Sequence, residues 1–221
     1  MAAYDLEEQE QIENLKVWWK QYGNLVVGCV CAVALAVAGW TFWNGYQTRQ
    51  ATQSGELYVA LQQAISRNES VQARGLTGEL TDKFGNTSYA SMGVLMAARY
   101  ALAVDDAKTA RAQLAWVVEN GKDEFVDIAR LRLAGLLLDE KEYDEAIKQI
   151  SRPPAAAFAA SYAELRGDIF FAQEKTVEAK AAWQEARALL EKDDGEASAK
   201  MEDSIVLMLL QQKLDALGGA A

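Results

Sequence analysis

From Leu25 to Trp43 the chain runs LVVGCVCAVALAVAGWTFW, 19 residues without a charge. At about 1.5 Å of rise per residue such a helix is roughly 28 Å long, close to the hydrocarbon thickness of a bilayer. Aromatic side chains bracket it, with Trp18, Trp19 and Tyr22 on one side and Trp40, Trp43 and Tyr46 on the other. Amphipathic rings favour headgroup depth, so two belts at this separation predict a membrane-spanning helix. A buried core helix is the plain alternative, but core helices seldom stay uncharged for so long. A cleaved signal peptide is another, because Ala36-Val37-Ala38 offers a small-residue site. The leader before the run is long and acidic, however, and the run exceeds the usual apolar core of a signal.

Lys16 and Lys20 flank the run on its N-terminal side and only Arg49 follows on the other. This bias predicts an N-terminus in the cytoplasm and the bulk of the chain outside it. Ile12, Leu15, Trp19 and Tyr22 recur at helical spacing, as in an amphipathic helix lying partly in the interface. Gly28, Ala32, Ala36 and Gly39 form a small-residue stripe along the span, a candidate face for close docking on another membrane helix. Gly and Ala are also simply common in such helices.

The rest of the chain reads as helix. Ala, Leu, Glu, Gln and Lys dominate and only two prolines occur, Pro153 and Pro154. Three segments align, beginning at Met92, Ile128 and Ala163. Small residues fall in register at Ala98, Ala134 and Gly167, then at Ala110, Ala146 and Ala179. A large apolar residue follows four positions later each time: Leu114, Ile150 and Trp183. A spacing of 33 to 36 residues matches the tetratricopeptide repeat of about 34. Antiparallel helix pairs approach closely where a small residue faces the partner, and the bulky residue one turn on fills the space between repeats. The second repeat has Pro153 in place of its last alanine, which should end its second helix early. Glu56 to Ser66 and Val71 to Phe84 read as a further, divergent pair. After a breaker at Lys192-Asp193-Asp194-Gly195 a final helix should cap the array or lie back along its inner surface.

The expected fold is therefore all-α: a single N-terminal transmembrane helix followed by a tetratricopeptide-like helical-repeat solenoid. Residues 1–24 would form the tail with its juxtamembrane helix, 25–43 the span and 44–55 a linker or helix extension. Residues 56–195 would hold the repeats, and 196–221 the capping helix and a flexible end.

Helical arrays bind partner segments along the face lined by the first helix of each pair. The inward positions usual for such repeats are Met92, Leu95 and Leu102, then Ile128, Leu131 and Leu138, then Glu164, Asp168 and Phe171. A mostly apolar groove suits a hydrophobic or partly unfolded segment. A short array can equally cover that side with its own flanking helices, because large exposed apolar patches are rare.

Composition argues against other classes. The absence of histidine removes the commonest general base and metal ligand. Cys29 and Cys31 sit inside the apolar run and read as packing residues. Paired carboxylates such as Asp105-Asp106 lie in loops with no base beside them, and Gly75-x-x-Gly78 lacks the lysine of a phosphate loop. The charge runs Asp139 to Glu145 and Glu191 to Glu196 read as solvated turns. A net charge of −10 repels nucleic acid and anionic lipid headgroups. No enzyme activity, cofactor, metal, nucleic acid or small-molecule substrate is expected.

The order of parts resembles the YfgM family. The resemblance rests on LKVWWKQYGN before the span, GWTFWNGYQ at its end, and the repeat motifs Leu165-Arg166-Gly167-Asp168 and AWQEA. It implies an ancillary subunit of the bacterial SecYEG translocon, held in the inner membrane with a periplasmic tetratricopeptide-like domain. It further implies association with SecYEG and with a membrane-anchored periplasmic chaperone of the PpiD type. In some members of the family the cytoplasmic tail is linked to stress regulation. A self-assembling envelope scaffold and a tail-driven stress regulator are the alternative readings.

Overall fold

The computed structural model describes residues 2–122, 124–192 and 197–217, with side chains described from Glu13 onward except those of Asn14, Glu124 and residues 197–203. The side chain of Ile12, the breaker residues beyond Lys192 and residues 218–221 at the expected flexible end lie outside these. The described residues are helical and contain no strand. The helices are α1 (Ala2–Ser66), α2 (Ser70–Phe84), α3 (Ser88–Ala103), α4 (Ala107–Asn120) and α5 (Glu124–Asp139). They continue with α6 (Tyr143–Gln149), α7 (Ala159–Ala172), α8 (Thr176–Glu191) and α9 (Ala197–Ala216).

The chain divides into two units, residues 1–52 and 53–221. In the first, the apolar run is helical and wholly unburied. Leu25, Val30, Val33, Leu35, Val37, Trp40 and Phe42 are all exposed. A soluble fold does not leave a stripe of this size bare on every side, so the reading as a core helix fails and lipid is the solvent that suits it. The polar stretch 44–55 is helical throughout.

The second unit is built from helix hairpins. Consecutive helices from α2 to α9 pack on one another, and α5 also touches α3 and α7, so these first helices form one layer. The turns inside the hairpins are copies of one design. Asn68, Asp105, Lys141 and Glu174 each take a left-handed backbone with φ between 57° and 62°. At each turn the left-handed residue donates its N–H to the carbonyl three residues back, and the next N–H reaches five residues back. At the third turn these are Lys141 to Leu138 at 3.0 Å and Glu142 to Leu137 at 2.8 Å. At the fourth they are Glu174 to Phe171 and Lys175 to Phe170, both 2.9 Å. This double bond satisfies the orphan carbonyls of the outgoing helix and sets the crossing of the next. Among the described residues four such turns mark four repeats, spaced by 37, 36 and 33 residues.

The registered alanines are buried as expected: Ala98, Ala110, Ala134, Ala146 and Ala179 are all at most 1% exposed. The first pair joins them through Ala73. There the sizes are exchanged. Leu61 stands where the other repeats have Ala98, Ala134 and Gly167, and Thr77 stands where they have Leu114, Ile150 and Trp183. Both are buried, and the Thr77 hydroxyl donates to the Ala73 carbonyl at 2.7 Å. Total volume is kept, which is what a close-packed interior demands.

Pro153 acts as expected, since α6 stops at Gln149 after seven residues. The chain then passes through a 3₁₀ turn, Ala156–Phe158, into α7. Asp127 of α5 pins this connection. Its carboxylate accepts the Ala155 N–H at 2.9 Å and the Tyr162 hydroxyl at 3.0 Å. Arg130 lies 3.9 Å from the same carboxylate. Burial, reinforced by the Asp127 carboxylate, pushes the Tyr162 hydroxyl well above its ordinary pKa, so it stays a donor.

Candidate partner-binding surface

The first helices α3, α5 and α7 carry the residues expected to line a groove. Leu95 of α3 is core, 6% exposed, while Met92 is half-buried and Leu102 stands 41% exposed. Ile128, Leu131 and Leu138 of α5 are half-buried against the central core. Phe171 of α7 is exposed on one side and rests on the Trp183 ring, centroids 5.6 Å apart.

Glu164 and Asp168 do not present free carboxylates. Lys213, near the end of α9, donates to Glu164 Oε1 at 2.8 Å and to both oxygens of Asp168 at 2.8 and 3.0 Å. Trp183 Nε1 donates to Asp168 Oδ1 at 2.9 Å. The Lys213 ammonium also lies 5.7 Å from the centre of the Trp183 ring. Partial burial works against the charge on Lys213, but the two carboxylates outweigh it and hold its pKa above the ordinary value. Below this lock, Leu210 and Leu214 of α9 are buried with Ala163, Ala179, Trp183 and Ala186. The final helix thus seals the last repeat and reaches over the inner positions of α7.

The motifs Leu165-Arg166-Gly167-Asp168 and AWQEA prove to be two halves of one joint. Arg166 pairs with Glu185 at 2.6 Å and Asp168 holds the Trp183 indole. Gly167 lies so near the Trp183 ring that a methyl group there would overlap it. These residues build the fold, not an open binding site.

A different part of the layer is open. Between α3 and α5 lies a pocket of about 450 Å³, lined by Ala98, Leu102, Leu114 and Leu136 with Arg99, Arg132, Gly135 and Asp139 around them. Sequence reading placed Leu102 here but missed both arginines and Gly135. Their signal was a glycine in the interior of α5, within LRLAGLLLD, where a helix has no use for one. A second groove, about 530 Å³, runs between α2 and α4 past Gly78, Val94 and Trp116. Arg74 and Lys108 at its edge share the field of Asp106, whose pKa is held low chiefly by its capping bond to Thr109.

In the first unit, the small-residue face of the span is bare. Gly28 and Gly39 have nothing within 4 Å of the place a side chain would begin, and Ala32 and Ala36 are exposed. Among the described residues no group of three or more carboxylates and thiols is arranged to hold a metal ion. The surfaces on view can bind a chain or a helix.

Known proteins match along most of the length. The tetratricopeptide repeat-like domain family matches residues 16–219. A protein of Neisseria gonorrhoeae named ancillary SecYEG translocon subunit is 33% identical over 98% of this chain and all of its own. Proteins of the same name from Haemophilus influenzae and Escherichia coli are each 27% identical. The first match covers 84% of this chain and 91% of the relative, the second 83% and 88%. The all-α architecture, the single apolar N-terminal span and these matches lead to one conclusion: the chain belongs to the YfgM family of tetratricopeptide-like, single-span membrane proteins.

Proposed function

We propose that this protein is a membrane-anchored adaptor of the SecYEG translocon. Its span docks beside the protein-conducting channel, and its repeat domain, on the periplasmic side of the bacterial inner membrane, engages a PpiD-like chaperone and assists emerging proteins. The observation that carries the reading is the 33% identity to an ancillary SecYEG translocon subunit across nearly the whole of both chains. Two features support it. The span is apolar on every side and leaves a small-residue face free for another helix. The repeat unit offers pockets of a size and lining suited to peptide segments. Purification of the intact chain from mild detergent tests it: SecYEG and a periplasmic chaperone are expected in the eluate at comparable amounts. Recovery of neither would defeat the proposal. The orientation is tested separately by reporter fusions at the C-terminus, which should be active only outside the cytoplasm.

A second reading, self-assembly into a scaffold, has one observation in its favour. Ile205, Met208 and Leu209 make an exposed apolar stripe on the outer side of α9. The mass of the purified full chain in detergent decides it, a monomer speaking against scaffolding.

A further inference from the structure

We infer that the pocket between α3 and α5 receives a partner segment in which an acidic side chain stands next to a bulky apolar one. The inference rests on the adaptor reading above and names the chemistry that the repeat domain would recognise.

Gly135 lies in the interior of α5, where glycine weakens a helix relative to alanine. Nothing in the fold requires it, because a methyl group at Gly135 would meet no atom within 4 Å. What the glycine does is leave open the floor of a pocket of about 450 Å³. That volume falls within the range of sites built for a ligand. Ala98, Leu114 and Leu136 supply a buried apolar base for a large side chain.

The residue after the small position reads Arg99 on α3, Gly135 on α5 and Asp168 on α7. Asp168 is taken up by Lys213 and Trp183. Arg99 and Arg132 are exposed and make no ion pair or hydrogen bond among the described residues. Two free guanidinium groups beside one carboxylate, Asp139, give the pocket a net positive rim on a chain of net charge −10. Guanidinium groups select carboxylates through paired N–H donors, and beside an apolar wall the attraction is less screened than in open water.

The full chain in phosphatidylcholine nanodiscs would be titrated with a fluorescent peptide, acetylated and amidated, carrying Leu-Glu-Phe within a Gly-Ser frame. Saturable binding is expected, at least tenfold weaker for the Leu-Gln-Phe peptide. The double variant Arg99→Gln, Arg132→Gln should lose the preference for Glu over Gln. Gly135→Phe should abolish binding, with its helical circular dichroism unchanged. Absence of binding would overturn the inference, as would equal binding of the two peptides or indifference to all three substitutions. If the peptide fails while the wild-type chain still co-purifies with SecYEG, this inference falls and the adaptor reading stands.

Discussion

Two glycines on successive first helices, Gly135 of α5 and Gly167 of α7, answer to different demands. Gly167 is required by packing, since the Trp183 ring occupies the space its side chain would need. Gly135 faces open space. Around Gly167 the polar groups are used up: Asp168 and Glu164 hold Lys213, and Arg166 holds Glu185. Around Gly135 the guanidinium groups of Arg99 and Arg132 are free. The same structural unit is closed into a joint at one end of the layer and left open nearer the other. An unfavourable residue with a steric reason marks construction, and one without it marks a surface kept for a partner.

The contrast can be broken most forcefully at Trp183. Replacing it with Ala removes a side chain only 2% exposed and empties the α7–α8–α9 joint. Loss of about 3–5 kcal/mol is expected in denaturant unfolding of the intact protein. Gly167→Ala forces the indole to move and should destabilise by about 1–3 kcal/mol. Gly135→Ala should do the reverse, raising stability by about 0.5–1 kcal/mol through helix propensity alone. If the two alanine substitutions moved the melting transition in the same direction, the distinction between the glycines would be void.

A gentler probe is pH. The folded-state pKa of Lys213 lies above its unfolded value, because hydrogen bonds to Asp168 and Glu164 outweigh its partial burial. Its contribution to stability is complete below the unfolded pKa, near 10.4, and fades as pH rises through the folded one. Tyr162, raised by burial, acts in the same sense over the same alkaline range. Lys213→Met should therefore make the alkaline loss of stability shallower without removing it, as read from melts between about pH 8 and 11. An unchanged slope would mean that the lock around Asp168 is not formed in solution.

The smallest expected effect serves as a control. Lys141 and Glu174 close the hairpins that begin with α5 and α7, both with left-handed backbone. Gly at either position relieves about 1–2 kcal/mol of left-handed strain, offset by about 0.5–1 kcal/mol of chain entropy. The gain should be equal in the two hairpins, since the turn is the same. Unequal gains would show that the repeats differ in more than their glycines.

Much of this was legible in the sequence for local reasons. The span announces itself by 19 uncharged residues, and the core of three repeats by alanines at a fixed spacing. The Pro153-Pro154 pair marks where α6 must stop. The first repeat was harder to see because Leu61 and Thr77 trade the sizes that the pattern expects. The left-handed turns were invisible because Asn68, Asp105, Lys141 and Glu174 stand where a glycine would have signalled them. Glu164 and Asp168 looked like groove residues since their partner, Lys213, lies more than 40 positions on and nothing local links them. The pocket beside Gly135 depends on which residues α3 and α5 bring together, and spacing within either helix does not reveal that.

The account depends above all on the span being a docking helix rather than a passive tether. A photoreactive side chain placed in turn at Gly28, Gly39 and Val30, the last on the opposite face of the helix, of the full-length protein in native membranes addresses this most directly. Crosslinks to a channel subunit from the two glycine positions, and far fewer from Val30, are the predicted result. Equal yields from all three, or none to the channel, would contradict it.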